Sequence, residues 1–191
     1  AAGAEGVVLR LEPLTGAISG QVAHVDGGPL TAGIPLRAEA VDSTLPDVQI
    51  RTTEGGRFAF ENLGTAAYRI RAGGPGSEFA WDGEWPVIAP GTSDAVLRVR
   101  RGEVLRGTLL GPDGGPPHEK LVLFVPVADG GEVRHIVDVG QDGKFEVKGL
   151  PAGPIKLILL RFGVPDRDAP EVARVRVPCA PLDLRVPREE E

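Results

Sequence analysis

The chain has 191 residues and a formal net charge of −6, spread without blocks apart from the terminal Glu189-Glu190-Glu191. That balance excludes the basic face needed by nucleic acid or an anionic membrane surface, and no apolar run reaches membrane-spanning length. Gly (27) and Pro (18) punctuate the chain so densely that no stretch free of both exceeds ten residues. A typical helix of about 11–12 residues has no room, so an all-β chain of short strands and tight turns is predicted.

The first element is the segment Val8-Leu9-Arg10-Leu11, which alternates like Val96-Leu97-Arg98-Val99 and Leu182-Asp183-Leu184-Arg185-Val186. It is an extra strand with no body of its own. Three readings stay open: the last strand of an upstream module, an extra edge strand, or a strand that adds through Val7, Leu9 and Leu11 to a neighbouring subunit's sheet and builds a filament. Strands are then predicted to begin near Ile18, Pro35, Val48, Arg57, Tyr68, Trp85 and Val96. Phe58 and Phe60 alternate with Arg57 and Ala59, and Tyr68 and Ile70 with Arg69 and Arg71, which is the period of strands with one wet face.

Between Tyr68 and Val96 lies Ser77-Glu78-Phe79-Ala80-Trp81-Asp82-Gly83-Glu84-Trp85-Pro86, which holds both Trp residues. It is read as a linker between strands. Phe79, Trp81 and Trp85 there either bind a glycan or a surface protein, or Trp85 opens a strand and points inward while Phe79 and Trp81 cap the end of the sandwich. The link Arg100-Arg101-Gly102-Glu103 is short, which implies limited bending. Further strands are predicted near Leu105, Leu121, Val133, Lys144, Ile155, Val172 and Leu182. Leu121–Val127 and Ile155–Leu160 are apolar on both faces, as in strands covered on both sides.

The two series are one pattern shifted by 87 residues. Asp26-Gly27-Gly28-Pro29 recurs as Asp113-Gly114-Gly115-Pro116, Gly56-Arg57-Phe58 as Gly143-Lys144-Phe145, and Leu63 as Leu150. Aligned without gaps, ten of the 55 positions from Ile18 to Ala72 are identical, and others exchange like for like, Ile34 with Leu121 and Ile50 with Val137 among them. The chain therefore divides into an extra strand segment (1–13) and two modules (14–101 and 102–191). Each is expected to be a seven-stranded immunoglobulin-like or transthyretin-like β-sandwich.

The series Ile18-Ser19-Gly20-Gln21-Val22, Asp26-Gly27-Gly28-Pro29, Gly56-Arg57-Phe58-Ala59-Phe60, Asn62-Leu63 and Tyr68-Arg69-Ile70 resembles the carboxypeptidase regulatory-like domain. This is a prealbumin-like sandwich related to the Cna-B-type repeats of surface proteins. The second copy matches through Leu105-Arg106-Gly107, Asp142-Gly143-Lys144-Phe145 and Leu150-Pro151-Ala152-Gly153. The resemblance implies a secreted or surface-exposed, non-catalytic module, often in tandem; the unpartnered first strand points to neighbouring modules of a longer chain or copies of this one as partners. Two family features are missing from the sequence. The first copy has no Lys, and the second has four but no Asn, so neither supplies the Lys–Asn pair of an isopeptide bond. The His/Arg set and terminal motif of transthyretin-like hydrolases are also missing.

No catalytic, metal or cofactor motif emerges from the residues. His24, His118 and His135 lie outside ligand spacing. Asp26 and Asp113 each stand alone in a Gly-rich turn, where turn chemistry explains them better than Ca²⁺ does. Cys179 is single, which rules out an internal disulfide, and reads as a small buried residue. The chain lacks Met and begins Ala1-Ala2-Gly3-Ala4, as a processed mature chain or an excised piece does. The expected function is that of a structural module pair, a spacer or self-assembling block outside the cytoplasm. Glycan or protein binding through the aromatic segment is the alternative.

Overall fold

The computed structural model describes residues 14–28, 30, 33–41, 45–115, 117, 119–128, 130–160 and 169–187. Val7, Leu9 and Leu11, named above for strand addition, and His118 lie outside the described residues. The described chain is built of strands, with a single short helical turn at Glu54–Gly56. In order the strands are β1 (Gly16–His24), β2 (Pro35–Ala40), β3 (Val48–Arg51), β4 (Arg57–Leu63), β5 (Tyr68–Ala72), β6 (Phe79–Trp81), β7 (Val87–Ile88) and β8 (Ala95–Arg101). They are followed by β9 (Glu103–Leu110), β10 (Lys120–Pro126), β11 (Glu132–Val137), β12 (Lys144–Leu150), β13 (Gly153–Leu160), β14 (Glu171–Val177) and β15 (Leu182–Arg185).

These strands make two β-sandwiches. In the first, a sheet ordered β4-β1-β8-β6 faces one ordered β3-β2-β5-β7; in the second, β12-β9-β15 faces β11-β10-β13-β14. Each core fills the space between its two sheets. Ile18, Phe58, Phe60 and Leu97 meet Leu36, Tyr68 and Ile70 in the first, and Leu105, Phe145, Val147 and Leu184 meet Leu121, Leu123, Ile155 and Leu157 in the second. The period of two seen in the sequence is the cause: inward apolar residues alternate with Arg57, Ala59 and Glu61 along β4, and with Lys144, Glu146 and Lys148 along β12.

Equivalent pairings fall 87 residues apart. Ile18 opposes Phe60 as Leu105 opposes Val147, and Val22 runs parallel to Leu97 as Leu109 does to Leu184. The recurring Gly20 and Gly107 are explained by close approach. A Cβ on Gly20 would stand 2.0 Å from the Ala95 carbonyl oxygen, and one on Gly107 would stand 2.6 Å from the Phe145 ring. The Asp142-Gly143 turn is closed by the Lys144 N–H donating to Asp142 Oδ1 at 3.1 Å.

Three details differ from the sequence expectation. First, β6 makes the first sandwich eight-stranded; Phe79, Ala80 and Trp81 are all buried, so the segment has no alternation to announce a strand. Second, the constant offset slips at β10. Leu36 opposes Ile50, whereas Val137 opposes Leu121, so Leu121 occupies the place of Leu36 rather than of Ile34. Two residues fewer precede β10, and a two-residue slip preserves which side chains face the core. Third, Cys179 is exposed, beyond the cis Val177-Pro178 peptide, rather than buried. Coverage on both faces holds over part of the expected spans, with Leu121–Leu123 and Leu157–Leu159 buried consecutively, while Phe124 and Lys156 are half-buried and Pro126 is exposed.

Candidate functional site at the seam between the sandwiches

β8 ends at Arg101 and β9 begins at Glu103, so Gly102 alone links the sandwiches. Its N–H donates to the Glu78 carbonyl at 2.9 Å, which pins the link to the segment leading into β6. Just upstream, the turn Gly73–Gly76 brings backbone against backbone. The Gly76 N–H donates to the Lys148 carbonyl of β12 at 3.0 Å. Gly149 follows at φ 75°, inside the irregular stretch where the β12–β9 register shifts between Val147 and Leu150. A Cβ there would meet the carbonyl oxygens of Gly74 at 2.2 Å and Ser77 at 2.6 Å, and a Cβ on Gly102 would lie 2.3 Å from Gly149 Cα. The seam thus requires glycine on both sides. The counterpart of Gly149 in the first sandwich is Asn62, the one non-glycine at positive φ (56°) among the described residues.

The aromatic segment completes the seam. Phe79 and Trp81 pair with Arg101 and Val99 of β8, which fixes β6 at the sheet edge nearest the second sandwich. Phe79 joins the first core and meets the edge of the His24 ring at 6.0 Å. Trp81, only 7% exposed, belongs to the core of the second sandwich, although its strand is hydrogen-bonded into the first. Trp85 packs on the same core and meets Trp81 in a T-shaped contact at 5.6 Å. Asp82, which follows β6, accepts from Arg100 Nε at 2.7 Å.

Arg71 lies behind the two indoles, its guanidinium 5.2 Å from the Trp85 ring centre and 6.0 Å from that of Trp81. Burial pushes its pKa down, and the like charge of Arg37, directly opposite on β2, adds to this; Glu39 and Asp47 act the other way. Those two acids also hold Arg37, Glu39 at 3.0 Å. On the second sandwich, His135 faces the Gly76 turn, 3.6 Å from where a Gly76 Cβ would be, and burial lowers its pKa against a smaller opposing pull from Asp138. Trp85 Nε1 is the one buried side-chain polar atom without a hydrogen-bond partner among the described residues.

Two hollows flank the Gly83-Glu84 turn. One, of ≈ 200 Å³, is lined by Arg69, Glu84, Trp85, Val87 and Val127; the other, of ≈ 260 Å³, is walled by Trp81, Pro126, Pro151 and Pro154. Of the three aromatics named from the sequence, Phe79 and Trp81 are therefore buried in the two cores, and Trp85, half-buried, reaches the surface of a hollow. Sequence reasoning missed Gly149, read Arg71 only as an outward residue, and gave His135 no place at the seam. For Gly149 a signal was present, since the matching position in the first copy is Asn62, the other residue type that tolerates positive φ.

Elsewhere, the polar residues singled out serve turns. His24 Nδ1 accepts from the Asp26 N–H, and Asp113 Oδ1 accepts from the Gly115 N–H, both at 3.1 Å. Among the described residues no group of three or more His, Cys, Asp or Glu could hold a metal ion, and no helix is long and apolar enough to cross a membrane.

No family model and no curated protein matches the chain. Among solved structures it is similar to a streptococcal ancillary pilin, with 15% identity over 92% of this chain and 63% of that one and a TM-score of 0.38. It is also similar to the shaft pilin SpaA from Lactobacillus rhamnosus GG, with 12% identity, 90% and 96% coverage and a TM-score of 0.34. A third likeness is to the major pilin SpaD from Corynebacterium diphtheriae, with 10% identity, 85% and 65% coverage and a TM-score of 0.38. The chain thus spans less than two thirds of the length of the first and third of these.

Proposed function

We propose that the chain is a non-catalytic structural element, a stiff strut of two sandwich modules that works outside the cytoplasm. One observation carries this reading: Trp81, held in β6 of the first sandwich, is part of the hydrophobic core of the second. A one-residue link and a backbone hydrogen bond across the seam (Gly76 to Lys148) act in the same direction. Joined domains move relative to one another by default unless the interface is large and apolar, and here a shared core replaces the usual polar contact. The division at residues 101/102 and the carboxypeptidase regulatory-like, tandem character of the modules belong to the same proposal.

Backbone relaxation by NMR tests it. A strut requires one rotational correlation time for both sandwiches. Separate, shorter correlation times for the two sets of amides would refute it. Self-assembly through the segment at 7–11 is the second part of the proposal. Deleting residues 1–13 should abolish higher oligomers in sedimentation velocity, and an unchanged distribution would rule that segment out as the assembling strand.

A further inference from the structure

We propose that the hollow beside Trp85 is a binding site for one sugar ring of a neutral glycan. Of the aromatic segment, Phe79 and Trp81 are consumed by the two cores, whereas Trp85 is left half-buried at the wall of a hollow. Its neighbours supply the two chemistries a pyranose needs. Val87, 54% exposed, and Val127, from the opposite sandwich, give an apolar surface beside the indole for the C–H face of a ring. Arg69 and Glu84 bring a donor fork and a carboxylate acceptor for the hydroxyls at its rim.

Register explains why these groups converge. Arg69 stands directly opposite Val87 on β7 and opposite Glu39 on β2, so it lies on the outer face of its sheet. Trp85 precedes Val87 by two residues, and the second sandwich closes the hollow with Val127 and Ala128.

Size and charge select the ligand. At ≈ 200 Å³ the hollow is smaller than the roughly 300–1,000 Å³ clefts that take drug-sized molecules, so one ring fits and a cofactor does not. Among the lining residues the one cation, Arg69, is matched by the one anion, Glu84, so the lining itself selects neither sign of ligand. The second hollow shares Gly83, Glu84, Val127 and Ala128 with the first, so a chain of rings continues past the turn towards Pro126 and Pro151. Short oligosaccharides should therefore bind better than single sugars.

The test uses the full chain and three neutral trisaccharides, maltotriose, cellotriose and N,N′,N″-triacetylchitotriose, in ¹H–¹⁵N titrations to about 20 mM, well above a weak dissociation constant of about 1 mM. The two indole signals are assigned with Trp85→Phe. At least one sugar should shift the Trp85 indole and the amides of Glu84, Val87 and Val127, and a ring that continues into the second hollow should shift the Trp81 indole as well. Glu84→Gln, at an exposed turn position, should leave the remaining spectrum unchanged and weaken binding about tenfold, the cost of one charge-assisted hydrogen bond. The proposal is overturned if no sugar shifts these signals, if the shifts map to another face, or if a proline-rich peptide binds there and the sugars do not. A single correlation time with no sugar response would leave the strut standing and remove the site.

Discussion

Replacing Trp81 by Ala should separate what the two sandwiches share. The indole is 7% exposed and is surrounded by the second core, so truncation removes about 200 Å² of buried apolar surface. At about 25 cal/mol/Å² this is about 5 kcal/mol as an upper bound, because the unfolded chain already buries part of that surface. Cavities left by Trp→Ala changes in cores cost about 3–5 kcal/mol, which agrees. The edge contact with Trp85 and the Arg71 cation held over the ring are lost too, and an uncovered Arg71 regains water. A loss of about 4 kcal/mol is therefore expected, concentrated in the second sandwich and in the coupling between the two. In differential scanning calorimetry the parent should unfold in one cooperative transition. Trp81→Ala should show two, with the lower one belonging to the second sandwich, identified by amide exchange of β10 and β13. A destabilisation under about 1 kcal/mol with the single transition retained would refute the shared-core account.

Three further outcomes are expected. Gly149→Ala meets both the strain of positive φ, about 1–2 kcal/mol, and a 2.2 Å clash with the Gly74 carbonyl, whereas Gly27→Ala meets φ 71° with open space around it. Urea denaturation should show Gly149→Ala several-fold more costly, and equal costs would mean the backbones at the seam do not touch. Because burial lowers the His135 pKa from 6.5, the unfolded chain binds this proton more readily than the folded one just below that pH. Its contribution is then constant well above pH 6.5 and declines as the pH falls through and below it, so His135→Gln should flatten the urea midpoint on the acid side of pH 6.5. The Glu146 carboxyl, held below its usual range by Arg106 and Lys148, loses its contribution only at still lower pH. Tyr68→Phe removes the hydroxyl that accepts the buried Gly64 N–H at 2.9 Å and should cost about 1–3 kcal/mol by thermal unfolding, with no change at the seam.

Most of the strand plan is legible locally. Arg57–Leu63 and Lys144–Leu150 announce themselves because apolar and charged residues alternate between glycine-containing turns, and both are strands with those bounds. β6 is not legible, since Phe79, Ala80 and Trp81 are covered on both sides and carry no period. The slip at β10 is hidden for a related reason. A shift of two residues keeps the alternation, so only the pairing of Leu121 with Val137 reveals it. Arg71 reads as one more outward residue of β5, and nothing near it in sequence shows that Trp81 and Trp85 cover it.

The sequence by itself determined the all-β class, the turns, the inward face of the clearly alternating strands and the common plan of the two halves. The first three depend on residues two to four positions apart and on backbone chemistry at Gly, Asp and Pro, and the last on that local pattern recurring at an offset of 87. The tertiary structure decided where the aromatic segment goes: Phe79 into one core, Trp81 into the other, and Trp85 to the rim of a hollow between them. The physical reason is that an apolar side chain specifies only that it be covered. Which surface covers it is set by the Gly74, Gly102 and Gly149 backbones meeting across the seam, a contact between residues far apart in the chain.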